Sequence, residues 1–290
     1  MEKISIQLVA AFVTIIFCAS CSKGNGRTLT SATGAIYECL VVMDDNALTQ
    51  EQLNEVSKHS LVNEASGYTK PIANLYDLVE AVMAADMPCM PQVEPYFRLT
   101  HVTTALFDDM FKPTRNILFV DINPEKYTQT KAKVSKDYWS TPQAICRIQT
   151  PSQEEFVAYW LENGEDIREW FVNQEITRQT KFYRASTNKA ARAALQEQGY
   201  DLLIPENYML IMDTVLGGAT TYSLRNPITV APEVRLVWCC NNKGSMRRDI
   251  VVYSYPYTDA KTFTYDYLNT QRDNVLSRVV SASVEGSYMG

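Results

Sequence analysis

The first part of the chain alternates between apolar runs of strand length and stretches with helical spacing. Residues 36–43 are almost continuously apolar and predict a central strand that is buried on both faces of a sheet. Thr49, followed three residues later by Gln52, has the form of a capping box and predicts a helix after it. Apolar residues three or four positions apart then predict a second helix that begins near Pro71.

The stretch Met-Pro-Gln-Val-Glu-Pro-Tyr-Phe at residues 90–97 is the most distinctive string in the chain. A proline disfavours the helical conformation in the residue before it, so Pro91 and Pro95 predict an extended backbone here. Strands are predicted after it, at residues 96–103, 115–122 and 143–149. A long helix is then predicted from Ser152 to about Arg184, with Gly164 as a bend or break.

The second part of the chain has a similar order. A short helix is predicted to end at Gly199, and residues 241–244 predict a hairpin turn between two strands. The elements predicted here are a helix at 188–198, strands at 208–215, 233–240 and 249–255, and a last helix at 262–280.

The two parts share a proline-glutamate-aromatic opening, three strands and a proline before a helix. This order predicts an α+β fold with two duplicated βββα halves that share one largely antiparallel sheet, with the helices packed mainly on one face. Two unrelated halves with a similar alternation are the alternative. We predict a single domain over residues 35–290, with halves 35–185 and 186–290 if the duplication holds.

The amino terminus has the pattern of an export signal. An uncharged, mostly apolar run follows Lys3 and ends in small residues, so residues 1–20 predict a signal peptide; the run is too short for a permanent membrane span. The string Cys18-Ala19-Ser20-Cys21 resembles the lipobox of bacterial lipoproteins, which implies acylation of Cys21 and anchoring to a membrane through the lipid. An ordinary signal peptide cut nearby is the alternative.

Residues 21–34 are rich in Gly, Ser and Thr and predict a flexible tether. Ser22 follows the cysteine, and no acidic residue lies just behind it, which by resemblance to other lipoproteins favours the outer membrane and a periplasm-facing position. The net charge of −6, without a run of Lys and Arg, argues against nucleic-acid binding.

The mature chain also resembles a family of uncharacterised Bacteroidota lipoproteins defined by a domain of unknown function. The resemblance implies a cell-envelope address and brings no activity with it. It rests on the early strand at 38–42, Pro91-Gln92-Val93-Glu94-Pro95, Phe111 with Arg115-Asn116-Ile117, Lys136-Asp137-Tyr138-Trp139 with Gln143, Arg272-Asp273 and Glu285-Gly286-Ser287-Tyr288-Met289.

The sequence carries no motif of the common hydrolases or nucleotide enzymes, and we predict no cofactor and no metal. His59 and His101 are interpreted as structural or solvent-exposed. Cysteines in apolar runs are interpreted as buried hydrophobes, although one disulfide through Cys89 stays open. Paired carboxylates of a glycan hydrolase are an alternative function, and the candidates are Glu94, Asp108, Asp109, Asp121 and Asp137.

Five polar and aromatic residues recur next to the edges of the strands predicted at 96–103, 115–122 and 143–149: Gln92, Glu94, Arg115, Trp139 and Gln143. They are candidates for a groove in which Trp139 stacks on a sugar or peptide. In the structural interpretation, which we favour, Arg115 pairs with Glu94 and Trp139 covers the edge of the sheet.

Residues 123–141 are predicted to form a loop that contains Lys126, Lys131, Lys133 and Lys136. The lysines are interpreted as solvated, and contact with an anionic lipid or glycan is the alternative. The sequence therefore predicts a lipoprotein that acts as a binding or envelope-assembly component, with an envelope protein or glycan as its partner.

Overall fold

The structure is a computed structural model, and it describes residues 28–59, 71–88, 90, 92–217, 220–222, 227–229, 233–244 and 246–280. The predicted signal peptide at residues 1–20, Cys21 and Cys89 lie outside the described residues. No helix in the described part of the chain is both long and apolar enough to cross a membrane. The chain divides into two compact units, residues 1–168 and 169–290, which are described separately below.

The first unit is built on a five-stranded sheet with the order β3-β2-β4-β7-β5. Strands β2, β3, β4 and β7 are parallel, and β5 is an antiparallel edge strand beside β7. Its elements are β1 Thr30–Ser31, β2 Glu38–Val42, α1 Gln50–Lys58, α2 Leu75–Met83, β3 Arg98–Val102, β4 Asn116–Ile122, β5 Lys131–Lys136, β6 Ser140–Thr141, β7 Ala144–Thr150 and the start of α3 Gln153–Ala185.

The central strands are buried on both faces, as the apolar run at 36–43 predicts. Val41 and Leu118 are fully buried, and Cys146 on β7 is too. Burial raises the pKa of the Cys146 thiol to about 12, so this cysteine behaves as a hydrophobe. Cys39, Cys239 and Cys240 are likewise buried, which agrees with their interpretation from sequence.

The helices begin where local capping chemistry places them. The capping box of α1 is confirmed: Gln52 N–H donates to Thr49 Oγ1 (3.3 Å), and Thr49 N–H donates to Gln52 Oε1 (2.9 Å). Helix α2 begins at Leu75 rather than near Pro71, because the Asn74 side chain accepts a hydrogen bond from Asp77 N–H and ends the preceding extended segment.

Helix α3 runs without interruption from Gln153 to Ala185, so the predicted break at Gly164 is absent and the bend stays a prediction. A Cβ at Gly164 would lie only 3.0 Å from Cε2 of the Trp160 indole ring. The absence of a side chain here makes room for a large buried ring instead of ending the helix.

The second unit contains a three-stranded antiparallel sheet with the order β12-β11-β8. The predicted hairpin turn between β11 and β12 is present, with Gly244 at φ +97. The elements are the rest of α3, α4 Lys189–Gln196, β8 Met209–Gly217, β9 Thr220–Tyr222, β10 Pro227–Thr229, β11 Glu233–Asn241, β12 Arg248–Ser254 and α5 Tyr265–Val279.

Both faces of this second sheet are covered by helices. Val237 and Cys239 pack with Leu195 of α4, whereas Leu236 and Trp238 pack with α5, because alternate residues of a strand point to opposite faces. The expectation of helices mainly on one face is therefore wrong for this unit.

The α+β fold class is confirmed, but two finer expectations are wrong. The first sheet is mostly parallel rather than antiparallel, and the two sheets are separate in the described part of the chain. The predicted duplication also fails, because β2 lies between β3 and β4 in the first unit while β8, β11 and β12 form an antiparallel meander. The shared Pro-Glu-aromatic strings therefore precede a strand in each unit, but they do not mark a repeated unit.

Candidate functional site

Gln143 joins two loops beside the amino-terminal end of β7. Its side chain is 2% exposed, and its Oε1 accepts a hydrogen bond from Trp139 N–H (2.9 Å). Its Nε2 donates to the carbonyl oxygens of Lys112 (2.6 Å) and Thr114 (2.8 Å). With its amide engaged on both sides by the backbone, Gln143 is placed to hold the fold rather than a ligand.

Trp139 packs on one face of the five-stranded sheet, which we call the aromatic face. This face carries Leu40, Val42, Ile117, Phe119 and Ile145 of the strands, with Val102, Phe107, Phe111 and Trp139 packed against them. The ring centroid of Trp139 lies 5.8 Å from that of Phe107 and 6.1 Å from that of Phe119. Trp139 is thus half-buried on a face of the sheet, whereas the structural interpretation places it over the edge.

The other predicted groove residues are placed apart from this pair. Arg115 precedes β4, and its carbonyl oxygen accepts a hydrogen bond from Ala144 N–H (2.8 Å), beside Gln143. Gln92 and Glu94 are exposed in the loop before β3, and β2 separates β3 from β4 in the sheet. The structure therefore brings Arg115, Trp139 and Gln143 together, while the pairing of Arg115 with Glu94 stays a prediction.

The lysine-rich segment is where the structure departs most from the expected loop. Residues 131–136 form the edge strand β5, because Lys131 and Lys133 alternate with smaller residues and pair with Gln149 and Arg147 of β7. Lysines are common on edge strands, since their charge opposes the pairing of the free edge with another chain. The expectation of a loop over the whole of 123–141 is wrong for these six residues.

A cleft of about 290 Å³ lies at this edge and is lined by Lys126, Tyr127, Thr128, Gln129, Lys131, Lys133 and Gln149. Within the described part of the chain, no carboxylate lies within ion-pair distance of the three lysine ammonium groups. Positive charge is therefore available to an anion that enters the cleft.

The floor of the cleft is held by a chain of hydrogen bonds. The Tyr127 hydroxyl donates to Asp121 Oδ2 (2.6 Å) and accepts from Gln149 Nε2 (2.9 Å). The bond to the Asp121 carboxylate, together with burial, raises the pKa of Tyr127, so its hydroxyl keeps its proton. The Asp121 carboxylate is thereby engaged by Tyr127.

Arg147 connects the cleft to the aromatic face. Its guanidinium carbon lies 4.4 Å from the centroid of the Phe119 ring, and in the ladder it is paired with Phe119 on one side and Lys133 on the other. Sequence reasoning missed Arg147, Tyr127 and Gln149. The signal for the first and last was the alternation of polar residues along the predicted strand at 143–149, which placed them on one face.

The carboxylates considered for glycan hydrolysis are largely engaged by the chain itself. Asp108 accepts from Met110 N–H (2.9 Å), Asp109 forms an ion pair with Lys112, and Asp137 accepts from Gln143 N–H (2.9 Å). Among the described residues, no group of three or more His, Cys, Asp or Glu side chains is arranged to hold a metal ion. His101 contacts the Met43 carbonyl oxygen (2.9 Å), which agrees with a structural role.

Comparisons with known proteins identify families without an activity. Residues 60–184 match a family model described as a domain of unknown function (DUF8532), and residues 188–290 match a second one (DUF4837). The expected likeness to a family defined by a domain of unknown function is thus confirmed. No curated protein and no solved structure matches the chain. The two matched segments meet just after the end of α3 at Ala185.

Proposed function

We propose that this chain, whose residues 60–184 and 188–290 each match a domain of unknown function, is a lipid-anchored binding protein of the cell envelope. In this proposal Cys21 carries the lipid and holds the protein on the outer membrane, with its folded units in the periplasm. The lysine cleft at β5 captures the ligand.

The observation that carries the proposal is the set of lysines at the cleft. Lys126, Lys131 and Lys133 surround a space of about 290 Å³, and the hydrogen-bonded Tyr127 and Gln149 give it a fixed wall. Three cations around one cleft make the local potential there more positive than the net charge of −6 would suggest. Such a field favours a ligand with phosphate or carboxylate groups.

The proposed ligand class is an anionic glycan or lipid headgroup of the envelope. Lysine ammonium groups bind phosphate and carboxylate as point charges, and the Tyr127 ring and the Gln149 amide beside them offer contacts to a sugar. The paired-carboxylate hydrolase has less support, because Asp108, Asp109 and Asp137 already bind groups of the chain.

Charge reversal in the cleft tests the ligand class. We expect the double variant Lys131→Glu/Lys133→Glu to bind polygalacturonate, inorganic pyrophosphate or phosphatidylglycerol vesicles at least about tenfold more weakly than the unchanged protein, because about 1 kcal/mol or more is lost for each reversed contact. Titration of each probe at low and at high salt measures the effect and identifies the source of the anion.

The matched control is Lys189→Glu/Lys261→Glu, which reverses two charges outside the cleft. Equal weakening in both double variants would show a nonspecific charge effect and would contradict the cleft. If the unchanged protein binds none of the three probes, the result would count against an anionic ligand.

The anchor is tested in bacterial cells that are fed an alkyne analogue of palmitate. We expect the full chain to take up the label and to sediment with membranes, and the Cys21→Ser variant to do neither. Cys18→Ser is the matched control, since Cys18 lies in the segment that is removed, and it should keep the label. Labelling of the Cys21→Ser variant would overturn the assignment of the lipid to Cys21.

A further inference from the structure

Three large apolar side chains of the first unit are exposed in two neighbouring loops. Leu106 is 66% exposed, Met110 is 72% exposed and Tyr138 is 64% exposed. Scattered exposed apolar residues are ordinary on a protein surface, whereas a fixed group of them indicates a contact surface.

Each of these side chains is next in sequence to an aromatic ring that packs on the sheet. Leu106 precedes Phe107, and Met110 precedes Phe111; the centroids of these two rings are 6.3 Å apart. Tyr138 precedes Trp139, whose ring lies 5.8 Å from that of Phe107. The packed rings therefore hold the two loops together and keep the three exposed side chains in place. We call these three residues the apolar tip.

The described chain begins beside the same two loops. Strand β1 pairs with β6, directly after Trp139, and Thr33 N–H donates to the Pro113 carbonyl oxygen (2.9 Å), directly after Lys112. The tether that would join this point to a lipid is short. From Cys21 to Thr30 there are nine residue steps, which span at most about 30 Å when fully extended and about 17 Å on average in a flexible chain.

A lipid on Cys21 would thus keep this part of the first unit close to the bilayer surface. The tether therefore keeps the membrane within reach of the apolar tip. A protein partner would not be held near these residues by the tether.

Charge around the tip does not favour anionic lipid. Asp108 and Asp109 lie in the same loop as Lys112, which is paired with Asp109, and Asp137 directly follows Lys136 at the end of β5. Binding here should therefore depend on burial of apolar surface and be nearly independent of headgroup charge.

We propose that Leu106, Met110 and Tyr138 insert into the headgroup region of the leaflet that carries the Cys21 lipid. This inference rests on the proposed anchoring through Cys21. The lipid then supplies most of the membrane affinity, and the apolar tip fixes which side of the first unit faces the bilayer.

The test uses the mature chain from Cys21 with a Cys89→Ser change, coupled through the Cys21 thiol to a maleimide lipid in phosphatidylcholine vesicles. The remaining cysteines are buried, so Cys21 is the reactive thiol. The fluorescence of Trp139 is obtained by subtracting the emission of a Trp139→Phe variant from that of this protein. The measurement is the quenching of this Trp139 fluorescence by brominated lipid. We expect clear quenching, since Trp139 lies next to Tyr138.

The triple variant Leu106→Ser/Met110→Ser/Tyr138→Ser should reduce this quenching at least about threefold, because the apolar surface that inserts is removed. Its unfolding midpoint should change little, since all three side chains are more than half exposed, and the largest loss is the edge-to-face contact between the Tyr138 and Trp139 rings (4.9 Å). Tyr257→Ser/Phe263→Ser/Tyr265→Ser is the matched control in the second unit, where these side chains are 64%, 74% and 80% exposed, and it should leave the quenching unchanged.

Absence of quenching in the coupled protein, or quenching that the triple variant keeps, would overturn the membrane contact. A strong dependence on anionic lipid or on salt would overturn the apolar mechanism. The chemical coupling separates this result from the anchor itself: a Cys21 that takes up no palmitate in cells would refute the anchor, whereas the vesicle result would still report on the apolar tip.

Discussion

Replacing Gln143 with alanine should lower the free energy of unfolding by about 3 kcal/mol, because several backbone groups lose their partner at once. The truncation would leave Trp139 N–H and the carbonyl oxygens of Lys112 and Thr114 without the amide that now binds them. The site is 2% exposed, so water does not replace these bonds without a rearrangement of both loops. Urea unfolding, followed by circular dichroism, measures the change.

Gln149→Ala is the matched control for this experiment. The Gln149 side chain is half-buried and donates one hydrogen bond, to the Tyr127 hydroxyl, so its loss should cost less than about 1 kcal/mol. Gln149 lines the cleft, and its replacement should weaken ligand binding instead. A Gln143→Ala variant with unchanged stability and weakened binding would contradict this division and would return Gln143 to a ligand groove.

The contrast between Gln143 and Gln149 shows how far the roles of site residues could be predicted from the sequence. Both lie in a polar and aromatic neighbourhood, and the sequence singled out Gln143 because it follows the Trp139 motif. What decides the role is the set of hydrogen-bond partners, which come from residues about thirty positions earlier in the chain. The spacing of residues in the sequence does not show that Lys112 and Thr114 lie within hydrogen-bond distance of Gln143.

Element types were largely predicted correctly, whereas the direction of the strands in the first sheet was not. The capping box at Thr49 and the buried run at 36–43 are local signals, and both are present as predicted. The continuous burial of β2, β4 and β7 also carried the signal for a parallel sheet, since strands covered on both faces have near-continuous apolar runs. The repeated Pro-Glu-aromatic string instead indicates an antiparallel duplication, which the strand order contradicts.

Strand β5 was missed for a different reason. Its sequence, Lys-Ala-Lys-Val-Ser-Lys, alternates charged residues with smaller ones, but the charges made the whole segment resemble a solvated loop. An edge strand exposes much of its surface, so polarity alone does not separate it from a loop. The position of Lys131 and Lys133 beside Gln149 and Arg147 became visible only with the pairing of β5 and β7.

The long helix offers the largest stability effect, because Trp160 is both the largest fully buried side chain and a hydrogen-bond donor. Its Nε1 donates to the Leu78 carbonyl oxygen of α2 (3.1 Å), and its ring stacks near Phe156 (6.0 Å). Replacing Trp160 with leucine removes the hydrogen bond and leaves unfilled volume, so we expect a loss of about 4 kcal/mol in the free energy of unfolding.

Gly164 supplies a second change with which to test this packing. Alanine is favoured over glycine in a helix by about 1 kcal/mol, so Gly164→Ala would stabilise α3 if space were available. The added Cβ would lie 3.0 to 3.2 Å from atoms of the Trp160 ring, which is 1% exposed and held by its hydrogen bond to Leu78. Overpacking costs about 1–3 kcal/mol, so we expect a net destabilisation of about 1 kcal/mol.

The two changes together form a double-mutant cycle. With leucine at position 160 the added Cβ no longer meets an indole ring, so Gly164→Ala should change from destabilising by about 1 kcal/mol to stabilising by a similar amount. Urea unfolding of the four proteins gives the coupling energy, which we expect to be about 2 kcal/mol. Simple additivity of the two changes would contradict the packing of Trp160 on Gly164 and would return that glycine to the role of a flexible point in the helix.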